Sequence, residues 1–308
     1  MQAATPPRRV VLAGASGLIG RAVTRLLRAR GDDVVTLVRR VPRSPGEFAW
    51  DPEAGDLDPA ALDGADAVIG LSGASVGRIP WTRGYRRTLV DSRVGPTRLF
   101  AETMGRMARP PRVFVSGSAV GVYGDRPGEE LDDDSPAGEG FFPDLVTAWE
   151  QASRLAPDAV RVVNPRTAVV VAKDGGLAPV RLLTAVGLGS RFGSGRQHWP
   201  WISLADEARG ILHLLDSELA GPVVLAGPEP ATADEVTRAF ADEMRRWRPW
   251  PIPKGLVTGL LGEAGQRLLF DDMRVVPRRL AADGFVWRHR TVRDAVAAAL
   301  SDDPLADA

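Results

Sequence analysis

The chain has 308 residues, 44% of them hydrophobic, with 39 Lys+Arg against 39 Asp+Glu and no cysteine. That length buries a full core, as one large domain or a domain with a smaller lobe. The charge balance gives no electrostatic case for nucleic acid or a membrane surface. The missing cysteines exclude disulfides, thiolate metal sites and a cysteine nucleophile, and fit a cytoplasmic setting.

Arg9 to Ala13 reads as a buried strand, because it is short, apolar and rich in Val. The preceding Arg8-Arg9 superficially mimics an export signal, but the apolar run is short and broken by glycines. Leu18 to Arg30 has helical apolar spacing at Ile19, Val23, Leu26 and Leu27 and ends at Gly31. Strands follow at Val34 to Val38, Phe48 to Trp50, Ala67 to Leu71 and Arg112 to Ser116, with a long helix from about Tyr85 to Met107. A Gly- and Asp-rich loop, residues 117–140, precedes a helix at about 142–156 and a strand at Arg161 to Asn164. Strands alternating with helices predict an α/β fold, a doubly wound parallel sheet of Rossmann type. Beyond Val171 glycines and prolines dominate. The reading is a Rossmann domain at 1–172 and a smaller C-terminal lobe at 173–300, with a late strand at about 222–226 returning to the main sheet. Residues 301–308 read as a frayed tail. No apolar run reaches the roughly 18 residues that span a bilayer. His198, His213 and His289 lack metal-ligand spacing, so no metal is expected.

The chemistry concentrates at Gly14-Ala-Ser16-Gly17-Leu18-Ile19-Gly20, between the first strand and the first helix. In this context the glycines mark a dinucleotide site. Gly14 allows a tight turn, Gly17 lets a pyrophosphate approach the backbone, and Gly20 lets the helix pack on the strand. The helix N-terminus supplies N–H donors to the phosphates. At the end of the second strand, where an NAD site usually places a carboxylate on the ribose, stand Arg39 and Arg40. Two guanidinium groups suit a 2′-phosphate, so NADP(H) is expected over NAD(H). Leu71-Ser72-Gly73, at a strand's C-terminal end, should border the cofactor. Arg93 either reaches the cofactor from the long helix or forms a surface ion pair.

These residues resemble the short-chain dehydrogenase/reductase superfamily in its extended, epimerase-like branch. Val115-Ser-Gly-Ser118 through Tyr123-Gly124 carries the same resemblance. So does the ordered set of Trp81, Asp91-Ser-Arg93, Trp149-Glu150, Gly193-Ser-Gly195-x-Gln197, Trp201-Ile-x-x-x-Asp206 and Gly284-Phe285. That set is similar to a subgroup of epimerase-family oxidoreductases with their own C-terminal domain of unknown function. One departure is Ser203, where the subgroup usually has histidine. The resemblance implies an NADP-dependent oxidoreductase or epimerase-like activity, with Ser118 positioning a substrate oxygen. It also implies a Tyr-x-x-x-Lys pair, which this chain lacks. The only tyrosines are Tyr85 and Tyr123, with Leu89 and Pro127 four residues on. Alignment on Glu150 puts Phe142 at the tyrosine position and Val146 at the lysine position. Phe has no proton to give and Val cannot bond a ribose, so the standard relay cannot run.

Tyr123 is the nearest spare phenol, and Asp144 and Glu150 are carboxylate candidates. Each also has a plain structural reading: loop packing, a helix start and an ion pair. Gly73-Ala-Ser75-Val-Gly77 matches a hydrolase nucleophile elbow but falls in the wrong part of the fold. Two readings remain: an enzyme with an unusual proton donor, favoured by Gln197, Trp199 and Trp201 in an apparently intact lobe, or a non-catalytic NADP(H)-binding sensor or interaction protein. The small-molecule substrate and the oligomeric state are not readable.

Overall fold

A computed structural model describes residues 7–306 and residue 308. Residues 1–6 of the expected first domain and residue 307 of the expected tail lie outside the described residues.

The chain opens with β1 (Arg9–Ala13), α1 (Leu18–Arg30), β2 (Asp33–Val38), β3 (Glu47–Asp51), β4 (Asp56–Leu57) and β5 (Ala67–Gly70). The first crossover helix stops at Gly31, whose φ of 92° is left-handed; its N–H bonds the Arg28 carbonyl and that of Asp32 bonds Leu27. Next come α2 (Arg83–Gly105), β6 (Val113–Ser116), β7 (Ser118–Ala119), β8 (Glu130–Leu131), α3 (Phe141–Ser153) and β9 (Arg161–Thr167). The remainder is β10 (Val169–Val171), α4 (Ala178–Ala185), β11 (Trp201–Ser203), α5 (Leu204–Asp216), β12 (Gly221–Leu225), α6 (Ala233–Glu243), α7 (Lys254–Leu269), β13 (Arg274–Val275), α8 (Arg278–Ala282) and α9 (Val292–Leu300).

The main sheet runs β12-β9-β6-β5-β1-β2-β3-β4, parallel except for the β3–β4 pair. Its inner strands β1, β5 and β6 are buried on both faces, which is why they read as apolar runs. Val10 and Leu12 join the core beneath α1 and α5, while Val11 and Ala13 join the core beneath α2, with Phe100 and Met104. The strand order reverses beside β1, leaving a crevice at the C-terminal ends of β1 and β5.

Beyond β10 the chain divides between two structures. Helix α5 packs on α1, and β12 adds to the sheet edge beside β9, with Val223 opposite Pro165. Helices α4, α6 and α9, with part of α7, build a lobe with its own core around Val180, Trp199, Phe240 and Val296, while β13 and α8 join the main core through Val275 and Leu280. Capping boxes start two of its helices, Thr232/Glu235 at α6 and Thr291/Asp294 at α9. The 117–140 segment is pinned rather than free. Asp133 accepts the N–H groups of Val224 (2.6 Å) and Arg279 (2.9 Å), and β8 pairs with β13. The segment expected to fray is also tied down, since Asp303 takes both terminal nitrogens of Arg25 at 2.7 and 2.6 Å.

Candidate functional site

The loop from β1 to α1 is shaped by its glycines. Gly14 has φ of 84°, and a Cβ there would lie 2.7 Å from the Leu71 carbonyl. A Cβ on Gly20 would lie 2.1 Å from the Gly14 oxygen, so only glycine lets α1 sit this close to β1. Gly17 differs. Within the protein its Cβ would meet only the Gly14 oxygen, at a close 3.2 Å, and the residue is otherwise exposed. Gly17 is the N-cap of α1, and no side chain caps the helix. Among the described residues the N–H groups of Leu18 and Ile19 have no backbone acceptor. Ser16 is exposed and its carbonyl accepts from Arg21 (2.6 Å), which braces the loop. The result is an anion cradle: open donors, helix dipole and no Cβ in the way. Leu71 lies directly under it, its N–H on the Ala13 carbonyl (3.0 Å), and Ser72 and Gly73 follow.

The structure divides the arginine pair. Arg40 is held by Glu47 through two bonds of 2.8 and 2.7 Å, which the sequence pattern missed because Glu47 arrives from β3. That bond, with a second from the Arg43 N–H, holds the Glu47 carboxyl down at about 2. Arg39 is exposed and makes no side-chain hydrogen bond or ion pair among the described residues.

Among the described residues Arg93 forms no ion pair. Its Nη1 donates to the Leu89 carbonyl (3.1 Å) and its Nη2 to Ala74 (3.0 Å), and its guanidinium lies over Trp149 at 5.4 Å. A Cβ on Gly73 would come 3.0 Å from the guanidinium carbon, so Gly73 makes room for it at the crevice. Burial pulls its pKa down. It is a cation with N–H groups to spare at the site's edge.

At the C-terminal end of β6, Ser118 is buried and donates to Glu150 Oε1 at 2.6 Å. Glu150 is held by Arg166 at 2.9 and 3.1 Å. Tyr123, the expected spare phenol, belongs to the same buried network. Its ring is fully buried, its hydroxyl donates to the Asp132 carbonyl (2.7 Å) and accepts from Arg166 (3.2 Å), and burial pushes its pKa up to about 12. Its hydroxyl is committed within the protein. Phe142 stands edge-on to Trp81 at 4.9 Å, and Val146 is buried one turn further along α3. Asp144 is exposed in the first turn of α3, a helix-start role.

The lobe residues resolve as packing. Gln197 Nε2 and Trp199 Nε1 both donate to the Leu269 carbonyl, at 2.8 and 3.2 Å, and Trp201 Nε1 donates to Glu229 at 3.0 Å. Ser75 is held in a local turn, its Oγ accepting the Gly77 N–H at 3.2 Å and its carbonyl taking the Tyr85 hydroxyl, with no histidine beside it. At Ser203 a histidine arrives from elsewhere. His289 Nδ1 lies 2.9 Å from its Oγ, and Asp206 accepts the N–H groups of Arg288 (2.7 Å) and His289 (2.9 Å). Ser203 is buried and caps α5, so the trio is a joint. Two further carboxyls carried no sequence signal. Glu207 is fully buried, accepts from Thr167 (2.8 Å), leaves Oε2 without a hydrogen-bond partner among the described residues and is pushed up to about 8 by burial. Asp271, near Arg267 and Asp125, is raised to about 6, again chiefly by burial.

A glycine cradle on a helix N-terminus, at the point where a parallel sheet reverses its order, defines a dinucleotide-binding Rossmann protein. Comparison with known proteins narrows the class. Residues 10–143 match the NAD dependent epimerase/dehydratase family and residues 252–299 match a domain of unknown function, DUF1731. The chain is 39% identical over 290 residues to the epimerase family protein Mb2239 of Mycobacterium bovis, covering 93% of this chain and 96% of that one. It is 34% identical to the human epimerase family protein SDR39U1, over 91% of this chain and 95% of that one. A crystal structure of human SDR39U1 (isoform 2) with NADPH superposes with a TM-score of 0.87 at 32% identity, covering 94% of this chain and 98% of that one. The chain belongs to the NAD dependent epimerase/dehydratase family.

Proposed function

We propose that this chain binds NADP(H) and acts as an epimerase-like oxidoreductase on a small molecule, without the Tyr-x-x-x-Lys relay. The observation that carries the reading is the cradle of Gly14, Gly17 and Gly20 at the N-terminus of α1. The NADPH in the human SDR39U1 crystal structure supports it. Arg39 meets the 2′-phosphate. Ser16, Gly17, Leu18 and Ile19 hold the pyrophosphate, and Leu71, Ser72, Gly73 and Arg93 border the nicotinamide half. Ser118 is the hydroxyl nearest the reacting centre. Its proton lies on Glu150 in this structure, so bonding a carbonyl oxygen requires the hydroxyl to turn from Glu150 to the substrate. With Phe142 and Val146 at the relay positions, no side chain there reprotonates an alkoxide.

The non-catalytic sensor reading is favoured by one observation, that the phenol of the strand-end loop, Tyr123, is sealed in the core. Stopped-flow oxidation of NADPH over a carbonyl panel separates the two. General acid catalysis typically contributes about 10²–10⁴-fold. We expect slow turnover by the parent, lower still in Ser118→Ala and unchanged in Tyr123→Phe. Brisk turnover indifferent to Ser118→Ala would show that the site is misplaced. No oxidation with any carbonyl would favour the sensor.

A further inference from the structure

The neutrality of the whole chain conceals an uneven distribution. No acidic residue occurs between Asp174 and Asp206 or between Glu243 and Glu263, while those two stretches carry seven Arg and Lys residues. The fold brings the stretches together at one edge of the lobe. Ser190 Oγ donates to the carbonyls of Pro249 (2.8 Å) and Trp250 (2.9 Å), and the Ile252 N–H donates to Arg191 (2.9 Å). Along this edge Trp250 is 87% exposed and Trp247 75%, beside the exposed Leu182, Val186 and Leu188. Arg245 and Arg246 are exposed between α6 and Trp247, and neither side chain makes a hydrogen bond or ion pair among the described residues. Arg248, in contrast, is turned inward to Asp234 (2.6 Å) and Thr237 (3.0 Å).

Two indoles this far into water lose the burial that normally places tryptophan inside a protein. Their amphipathic rings suit the boundary between acyl chains and headgroups. Guanidinium groups beside them are attracted to anionic headgroups. With Asp234 taken up by Arg248, and Asp242 and Glu243 confined to its α6 end, this edge with its projecting aromatic and aliphatic side chains complements a negatively charged surface with an apolar layer just beneath it. We propose that this edge, built from residues 182–191 and 245–252, is a peripheral docking surface for a bilayer containing anionic lipid. Trp247 and Trp250 enter the headgroup layer, and Arg245 and Arg246 contact the phosphates. Attachment is superficial, because no helix among the described residues is long and apolar enough to cross a membrane. The expectation of no membrane partner rested on the summed charge and on the lack of a spanning apolar run, neither of which describes one edge of one lobe.

The test is co-sedimentation of the full chain with vesicles of phosphatidylcholine alone or mixed with phosphatidylglycerol. The phosphatidylglycerol vesicles should sediment the protein, less so as salt rises, with a blue shift of tryptophan emission. Arg245→Gln/Arg246→Gln should weaken partition about 30-fold. Trp247→Ser/Trp250→Ser should abolish it while leaving the thermal melt and NADPH affinity unchanged. Equal partition into both vesicle types, absence of partition, or binding that survives the double tryptophan change would each overturn the proposal. Sedimentation velocity supplies a further arm. A dimer dissolved by the tryptophan changes, with no vesicle binding, would assign the edge to a second copy of the chain instead.

Discussion

Arg39 and Arg40 are neighbours in sequence with different commitments. A 2′-phosphate would have to compete with Glu47 for Arg40, whereas Arg39 is free to take it. Arg39→Ala should therefore lower NADPH affinity by about tenfold to a hundredfold, the range of a lost charge-assisted bond. Arg40→Ala should lower it less. Calorimetric titration of both variants decides, and equal losses would mean that Glu47 yields on binding. Glu207 gives a pH prediction. Its folded pKa, about 8, lies above the 4.5 of an ordinary glutamate, so the folded state holds a proton that the unfolded state releases. That contribution to stability is fully present below about pH 4.5 and is lost as pH rises through 8, at up to about 1.4 kcal/mol per pH unit. Thermal melts between these limits should fall more steeply with pH for the parent than for Glu207→Gln. Parallel curves would show that Glu207 titrates normally.

At the level of elements, α1 depends on two glycines for different reasons. Gly20→Ala sets a Cβ against the Gly14 oxygen, so it should lower the melting temperature and weaken cofactor binding together. Gly17→Val meets little protein and should leave the fold intact. The contact of α3 with β9 rests on Glu150 and Arg166, both buried. Arg166→Met leaves a buried carboxylate unpaired and should destabilise by about 3–5 kcal/mol. Denaturant unfolding measures this, and a loss below about 1 kcal/mol would place the pair in water. Strands β1, β2, β5 and β6 were legible because each is largely a short apolar run, and α1 because it has a period and a stop; β1 and α1 match residue for residue. The strand at Arg161 was read short by three residues, since Pro165 and Arg166 look like a break. Arg166 belongs in the strand because Glu150 receives it, and that partner is sixteen residues away.

At the level of the molecule, the nucleotide cradle was legible because it is local: one loop, one helix end, three glycines. What surrounds it was not. Glu47 reaches Arg40 from another strand, His289 reaches Ser203 across 86 residues, and Asp271 meets Arg267 and Asp125 from different elements. Tyr123 looked available because sequence places it near the site, whereas burial and the Asp132 carbonyl take its hydroxyl away. The missing relay was legible by exhaustive search, because only two tyrosines exist. The claim on which the functional account rests is that the first glycine loop holds a dinucleotide carrying a 2′-phosphate. Calorimetry with NADPH and NADH, on the parent and on Gly17→Val, tests it most directly. The account predicts tighter binding of NADPH than NADH by the parent, and no binding of either by a Gly17→Val protein that still melts cooperatively. Equal affinities for the two cofactors, or NADPH affinity retained in Gly17→Val, would contradict it.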